Sequence, residues 1–186
     1  MEADVKCYLK TERLLLRGWK QEDRPEFVRM NRDLRVMEYF LKPLTVSESD
    51  DLFRRIQEEF VVYGFGLFAV EKADTHKFIG WVGLHHFDFD VDFAPGIEIG
   101  WRLLPEAWGK GYAPEAAAAC MEFAFQRLHL EEVYSFTALS NERSQRVMQK
   151  IGMERLKEFG HPCVDSDHPL YRHVVYVMRS GEKQCW

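Results

Sequence analysis

The sequence predicts one α/β domain built on a mixed sheet. Three observations carry that expectation. Strand-length apolar runs joined by short turns fill the middle of the chain, a strand–helix–strand unit follows residue 97, and no repeat, low-complexity tract or linker interrupts the 186 residues. Hydrophobic residues make up 46% of the chain, which suffices for one sizeable core and is too many for a disordered segment.

The first strand is expected over 13–17, where Arg13-Leu14-Leu15-Leu16-Arg17 forms a short apolar run. A helix over 20–32 follows, with Phe27, Val28 and Met30 on its inner side. Thr45 stands three residues before Glu48, as in a capping box, and opens a helix that runs to about Val62. Leu52, Phe53, Ile56 and Phe60 recur along it at helical spacing. Tyr63-Gly64-Phe65-Gly66 breaks the helix, and strands are expected over 67–71, 77–87 and 97–104, joined by hairpin connections at 72–76 and 88–96. Helix resumes near Gly111 and runs to Leu128. A strand over 133–138, a short helix over 141–151 and strands over 153–159 and 171–179 complete the chain. Hairpins followed by a strand–helix–strand unit require antiparallel and parallel pairs in the same sheet.

Composition narrows the function. Lys plus Arg total 25 against 30 Asp plus Glu, a net charge of −5, which argues against a nucleic-acid binder. The first residues, Met1-Glu2-Ala3-Asp4-Val5-Lys6, lack the apolar run of a signal peptide, and no apolar stretch is long enough to span a membrane. Cysteines at 7, 120, 163 and 185 form no Cys-x-x-Cys pair and read as reduced thiols in a cytoplasmic protein, with a Cys7–Cys185 bridge as the alternative.

The strongest chemical signal is the run from Leu103 to Ala113. A strand ends at Pro105, a turn containing Gly109 and Gly111 follows, and Pro114 sits in the first helical turn, where its missing N–H is harmless. Exposed N–H groups at such a helix start attract phosphate, and glycine lets the backbone approach an anion closely. The run Ala116 to Ala119 keeps the helix slim. An ordinary tight strand–helix turn has the same glycine spacing. The run is not a P-loop, since no Ser or Thr follows Gly109-Lys110, and the antiparallel strands before it exclude a dinucleotide fingerprint.

With its flanks, this segment resembles motif A of the GNAT acetyltransferases, whose loop reads Arg/Gln-x-x-Gly-x-Gly/Ala. Gly111 and Ala113 occupy the last two marked positions, and Trp108 replaces the first, as in the RimJ/RimL-like branch. Glu98-Ile99-Gly100-Trp101-Arg102-Leu103, Tyr112-Ala113-Pro114-Glu115-Ala116, Ser140-Asn141-Glu142-Arg143-Ser144 and Lys150-Ile151-Gly152-Met153 resemble that branch in the same order, over roughly residues 10–180. The resemblance implies a single N-acetyltransferase domain over 1–186, with a splayed, mostly antiparallel sheet flanked by helices. It implies acetyl-CoA as co-substrate and a primary amine as acceptor, either a small molecule or a protein N-terminus.

By the same resemblance, backbone N–H groups of Trp108, Gly109, Lys110, Gly111, Tyr112 and Ala113 hold the pyrophosphate. Main-chain atoms of Trp101 and Leu103 pair with the pantetheine arm, and Leu103 N–H polarises the thioester. Read from the residues, Glu98 is a carboxylate in an alternating strand whose apolar members are Ile97, Ile99, Trp101 and Leu103. Burial would raise its pKa and suit it to act as a base through water, which makes it the first choice for that role; the alternatives are binding the substrate ammonium, or pairing with Arg102 or another arginine of the sheet. The family's usual acid, a tyrosine, falls at Met148 here, which leaves Ser144 as catalytic substitute and coenzyme contact, or as a plain helix-start serine. Asn141 reads as a coenzyme-arm contact or a helix cap. Lys110, Arg143, Arg146 and Lys150 are either contacts to the coenzyme's 3′-phosphate or solvated surface residues.

Several constellations carry less. Asp88-x-Asp90-x-Asp92 fails as a calcium loop, because Phe93 stands where Gly is needed and Ile99 where Glu is needed, and reads as an exposed acidic hairpin. His161, Cys163, His168 and His173 match no metal-site spacing, so no metal is expected. His85 and His86 face opposite sides of a strand, and one of them can approach Glu98 across the hairpin. Cys120 reads as core packing, and Trp19, Tyr39, Phe40 and Trp81 as core or as walls of an acceptor pocket. No residue resembles an activated Cys or Ser nucleophile, so transfer by direct attack is expected. Met148 keeps a second reading open, a coenzyme-A-binding sensor or partner module without turnover. Homodimers are common among such domains, though no feature of this sequence demonstrates one.

Overall fold

The computed structural model describes residues 5–181. Its elements, in chain order, are β1 (Cys7–Lys10), β2 (Leu14–Arg17), a 3-10 turn (Gln21–Asp23), α1 (Arg24–Arg32), α2 (Val46–Tyr63), β3 (Leu67–Lys72), β4 (Phe78–Phe87), β5 (Gly96–Leu103), a second 3-10 turn (Pro105–Ala107), α3 (Tyr112–Gln126), β6 (Glu132–Ala138), α4 (Glu142–Lys150), β7 (Glu154–Gly160) and β8 (Arg172–Arg179). Among the described residues the strands form one sheet in the order β1-β2-β3-β4-β5-β6-β8-β7. Every neighbouring pair is antiparallel except β5 and β6. That parallel pair needs a crossover, and α3 supplies it. The mixed sheet is as expected.

Alternate residues of β3 point into two different cores. Phe68 and Val70 face a cluster with Val82, Leu84 and Ile99 beneath α3, where Ala116, Ala117, Cys120 and Met121 are fully buried. Leu67 and Ala69 face Phe27 and Met30 of α1 and Phe53 and Ile56 of α2. The alanines let α3 lie close on the sheet, and Cys120 is core, its thiol pushed above its ordinary pKa by burial. A third cluster of Phe87, Tyr134, Val175 and Val177 covers the far end of the sheet. Thr45 caps α2 as a capping box with Glu48, its hydroxyl accepting from Glu48 N at 3.2 Å.

Three boundaries differ from the sequence reading. The strand β1 went unforeseen because none of its residues is fully buried and a bulge breaks its register with β2, so no alternation marks it. The helix expected from Lys20 starts at Arg24, because the Asp23 carboxylate accepts from Lys20 N (2.8 Å) and pairs with Arg17. Val28 is half-buried, and the inner face of α1 is Phe27, Met30 and Asn31. Cys185 lies outside the described residues.

Arg17 locks the first half of the sheet. Its guanidinium donates to Glu71 Oε2 (2.6 Å) and to both oxygens of Asp23 (2.7 and 2.8 Å), and all three residues are at most 5% exposed. It thereby joins β2 to β3 and to the entry of α1. Two buried carboxylates depend on this one cation, with Lys20 and His76 adding weaker support to Glu71 at its exposed side. Breaking such a node strands buried charge. Arg17→Met is expected to destabilise the fold by about 3–5 kcal/mol, read from urea unfolding at pH 7.

Candidate active site

β5 and β6 are paired at a single register position, Glu98 opposite Tyr134, and then diverge. The divergence opens a cavity of about 770 Å³, walled by Gly100 to Leu103 of β5 on one side and Ser135 to Ala138 of β6 on the other. That volume lies within the usual range for ligand sites. Leu104 N–H donates to Ile79 O on the β4 side (2.9 Å). Successive N–H groups of a strand point to opposite edges, so those of Leu103 and Trp101 point into the cleft. Trp108 lines the same wall, and its indole N–H donates to Leu103 O at 2.8 Å.

At the mouth of the cleft stands the N-terminus of α3. Gly109 and Gly111 both take left-handed backbone conformations (φ 73° and 79°), which a side chain would strain. A Cβ built on Gly109 would meet nothing within 4 Å, so the space above the loop is open. Alternating conformations of this kind aim consecutive N–H groups into one concavity, and the first-turn N–H groups of Tyr112 and Ala113 add the positive end of the helix. Arg13 props the loop from behind. Its guanidinium donates to Lys110 O (2.9 Å) and to Glu115 Oε2 (2.7 Å), its backbone N–H donates to Glu115 Oε1 (3.0 Å), and it stacks on Tyr112. Lys110 itself turns its side chain to solvent, outside the cavity wall.

Deeper in the cleft, Glu98 Oε2 lies 2.9 Å from His85 Nε2. The two residues face each other across the β4–β5 pair, so His85 is the histidine that meets Glu98, while His86 turns away to stack on Tyr63. Burial opposes protonation of His85, yet the hydrogen bond and charge of Glu98, reinforced by the charge of Glu59, raise its pKa above the ordinary imidazole value. Arg102 is not the partner of Glu98. Four residues apart on one strand face, the two are separated by about 13 Å along the backbone. Arg102 Nη1 donates instead to Asn31 Oδ1 at 2.7 Å.

The opposite wall comes from α4. Asn141 caps that helix, its Oδ1 accepting from Ser144 N (3.2 Å) and its Nδ2 donating to Thr137 Oγ1 (2.9 Å), and both Asn141 and Ser144 line the cavity. Arg143, Arg146 and Lys150 stand at its rim; Arg143 pairs with Glu38 and stacks over Trp108. Met148 is fully buried in the core beneath α4.

A glycine loop at a helix start, set beside a parallel pair that opens into a cleft, matches what known proteins show. Residues 13–154 fit the family model described as the acetyltransferase (GNAT) domain. The chain belongs to the GNAT family. It is an N-acetyltransferase. The chain is 28% identical over 175 residues to the uncharacterized N-acetyltransferase YnaD of Bacillus subtilis, covering 94% of this chain and 98% of that one. The crystal structure of an acetyltransferase from Agrobacterium tumefaciens superposes with a TM-score of 0.76 at 26% identity, covering 97% and 96% of the two chains. The spermidine N-acetyltransferase of Vibrio cholerae, solved with CoA and spermine, shares the fold at a TM-score of 0.72 and 19% identity, covering 91% and 97%.

In this GNAT domain Tyr39, Phe40 and Trp81 also line the cavity, together with His85, Glu98 and Arg102. Trp19 does not reach it. Its ring packs edge-on against Phe27 and Phe53, and its indole N–H donates to Leu67 O. Of the acidic hairpin, Asp92 is exposed and pairs with Lys157, away from the cavity wall. No group of metal-ligating side chains occurs among the described residues. No helix among them is long and apolar enough to cross a membrane.

Sequence reasoning missed three contributors. Arg13 had no signal, since its partner Glu115 lies 102 residues away. His161 and His173, set aside as metal ligands, are instead cavity walls whose rings lie 4.8 Å apart. Burial, then the neighbouring His161, pushes the His173 pKa down to about 4; burial also lowers that of His161, against the pull of Glu98. The unfolded chain therefore binds a proton at residue 173 below pH 6.5 that the folded chain refuses until about pH 4. The stabilisation is fully present above pH 6.5 and is lost as pH falls toward 4. Replacing His173→Phe is expected to flatten that acid limb by about 3 kcal/mol, measured by denaturant unfolding between pH 4 and 7.5.

Proposed function

We propose that this enzyme transfers acetyl from acetyl-CoA to a primary amine by direct attack within the β5–β6 cleft, and that it belongs to the RimJ/RimL-like branch, whose Trp stands at position 108. The observation that carries the reading is the pair of open backbone edges facing each other across the cleft, with the N-terminus of α3 at its mouth. The pyrophosphate is received by N–H groups between Trp108 and Ala113, chiefly those around the two left-handed glycines. Arg143, Arg146 and Lys150 supply rim charge for a further phosphate. The pantetheine arm pairs with the cleft edge of β5 at Trp101 and Leu103. Asn141, already committed to its cap and to Thr137, has one lone pair and one amide hydrogen left for the arm.

For the chemistry, the carboxylate of Glu98 and the imidazole of His85 act as one base. The amine reaches the site as ammonium and loses its proton to Glu98, directly or through water, and the proton comes to rest on the imidazole, whose affinity for it the carboxylate raises. The neutral amine adds to the thioester carbonyl carbon, and a cleft-facing N–H stabilises the oxyanion. Leu103 lies about 17 Å along the strand from Glu98 and Trp101 about 10 Å, so the Trp101 N–H is favoured over that of Leu103. The C–S bond then breaks as the added nitrogen gives up its second proton; Ser144, which lines the α4 wall, takes that proton while passing, directly or through water, its own hydroxyl proton to the sulfur. Met148, lying in the core, has no access to it.

Rate should fall as pH drops through the His85 pKa, because a protonated pair cannot accept the ammonium proton. Glu98→Gln removes the group that raises that pKa while leaving the imidazole half-buried. Its turnover is expected to drop about 100-fold or more, with the remaining acid limb moved to lower pH and acetyl-CoA affinity by calorimetry unchanged. A pH–rate profile identical to that of the unaltered enzyme would remove Glu98 from the base.

A further inference from the structure

Arg102 presents a full charge to the cavity without a counter-charge. The residue is 9% exposed, and among the described residues no carboxylate pairs with it. Its guanidinium is held between aromatic rings, 4.2 Å from the centroid of Phe40 and 5.2 Å from that of Trp81, and bonds Asn31 through Nη1. Burial pushes its pKa down to about 10, which still leaves it charged at neutral pH. Cation–π contacts and one neutral amide compensate only part of the desolvation of such a group.

The polar atoms around it share one character. Arg102 Nε, Trp81 Nε1 and Asn31 Nδ2 are all buried without a hydrogen-bond partner, and all three are donors. A network closed for stability alone would match donors with acceptors. These donor atoms are sealed from solvent and find no acceptor among the described residues. No carboxylate among those residues offsets the Arg102 guanidinium, which meets the cavity and suits an anion entering there. Arg102 and Trp81 both line the cavity, directly opposite each other on β5 and β4. Glu98 stands on the same face of β5, and Gly100 between them adds no side chain to the floor.

We propose that Arg102, beside Trp81 on the cavity wall and held from behind by Asn31, receives a carboxylate of the acetyl acceptor, so that the substrate is an amine that also bears a carboxylate. The assignment rests on the acetyltransferase reading of the cleft and adds the substrate class. The acceptor bridges two poles, its ammonium toward Glu98 and His85 and its carboxylate toward Arg102. A polyamine fits poorly, because its second ammonium would meet a buried guanidinium.

The test follows coenzyme A release with a panel of α- and ω-amino acids, each assayed beside its methyl ester and its decarboxylated amine. For the best acceptor, kcat/KM of the free acid is expected to exceed that of the ester and the amine by about 10⁴-fold, the scale on which a site built for a hydrogen-bonding group rejects its absence. Arg102→Met is expected to erase that ratio while keeping acetyl-CoA affinity and lowering no unfolding midpoint, since a shape-matched apolar side chain replaces an uncompensated buried charge. A panel in which no free acid surpasses its ester overturns the proposal, and so does a preference that persists in Arg102→Met. Failure of the unaltered protein to bind acetyl-CoA counts against the cleft itself, a result distinct from equal turnover of acid and ester with binding intact.

Discussion

The architecture depends on how little joins β5 to β6. One paired position, Glu98 opposite Tyr134, links the five strands before α3 to the three after it. Beyond that position two strands lie side by side without a ladder, each with N–H and C=O groups that have no neighbour to bond. Backbone polar groups left so are costly unless water or a ligand meets them, and an extended molecule with amides along its length satisfies both edges at once. The third aromatic cluster, with Phe87, Tyr134 and Phe136 packed edge to face, holds the strands together on the closed side. The slim α3 crosses from one strand to the other on the side of the first core. A wider helix there would shift the phosphate loop relative to the strand it serves.

Charge is segregated along the cleft in keeping with that geometry. Backbone donors and rim cations gather at the mouth, a carboxylate–imidazole pair sits near the apex, and a lone guanidinium closes the proposed acceptor side. The two histidines at 161 and 173 are held neutral by burial in the wall facing Glu98. Uncharged rings there keep the local dielectric low without competing with His85 for the proton, which leaves a single titrating pair at the proposed reaction centre.

The phosphate loop was legible because its chemistry is local. Strand end, two glycines, a proline in the first helical turn and an alanine run all fall within Leu103 to Ala119, and Gly109 and Gly111 take the left-handed angles of a tight strand–helix turn, whatever that turn binds. Helix α2 was legible for the same reason, its capping box and its apolar spacing both written in consecutive residues. What depended on distant partners was not. The partner of Glu98 was one of two histidines or an arginine such as Arg102 until the β4–β5 register selected His85, which left Arg102 without its expected role. Its meaning came from Asn31, 71 residues earlier, and from Phe40 in a loop without a motif. Asn141 is the helix cap by its bonds, and it also lines the cleft.

Arg13 adds a consequence in the time domain. Its bonds to Lys110 and Glu115 span about a hundred residues of chain, so the support of the glycine loop is made long before the loop it supports. At ordinary translation rates of about 5–20 residues per second, Arg13 waits on the order of 5–20 seconds for Glu115 to be synthesised. Until then β2 is anchored by its pairing with β1 and β3 and by the Arg17 node. The loop before α3 therefore gains its brace late, when the beginning of the chain closes over its middle.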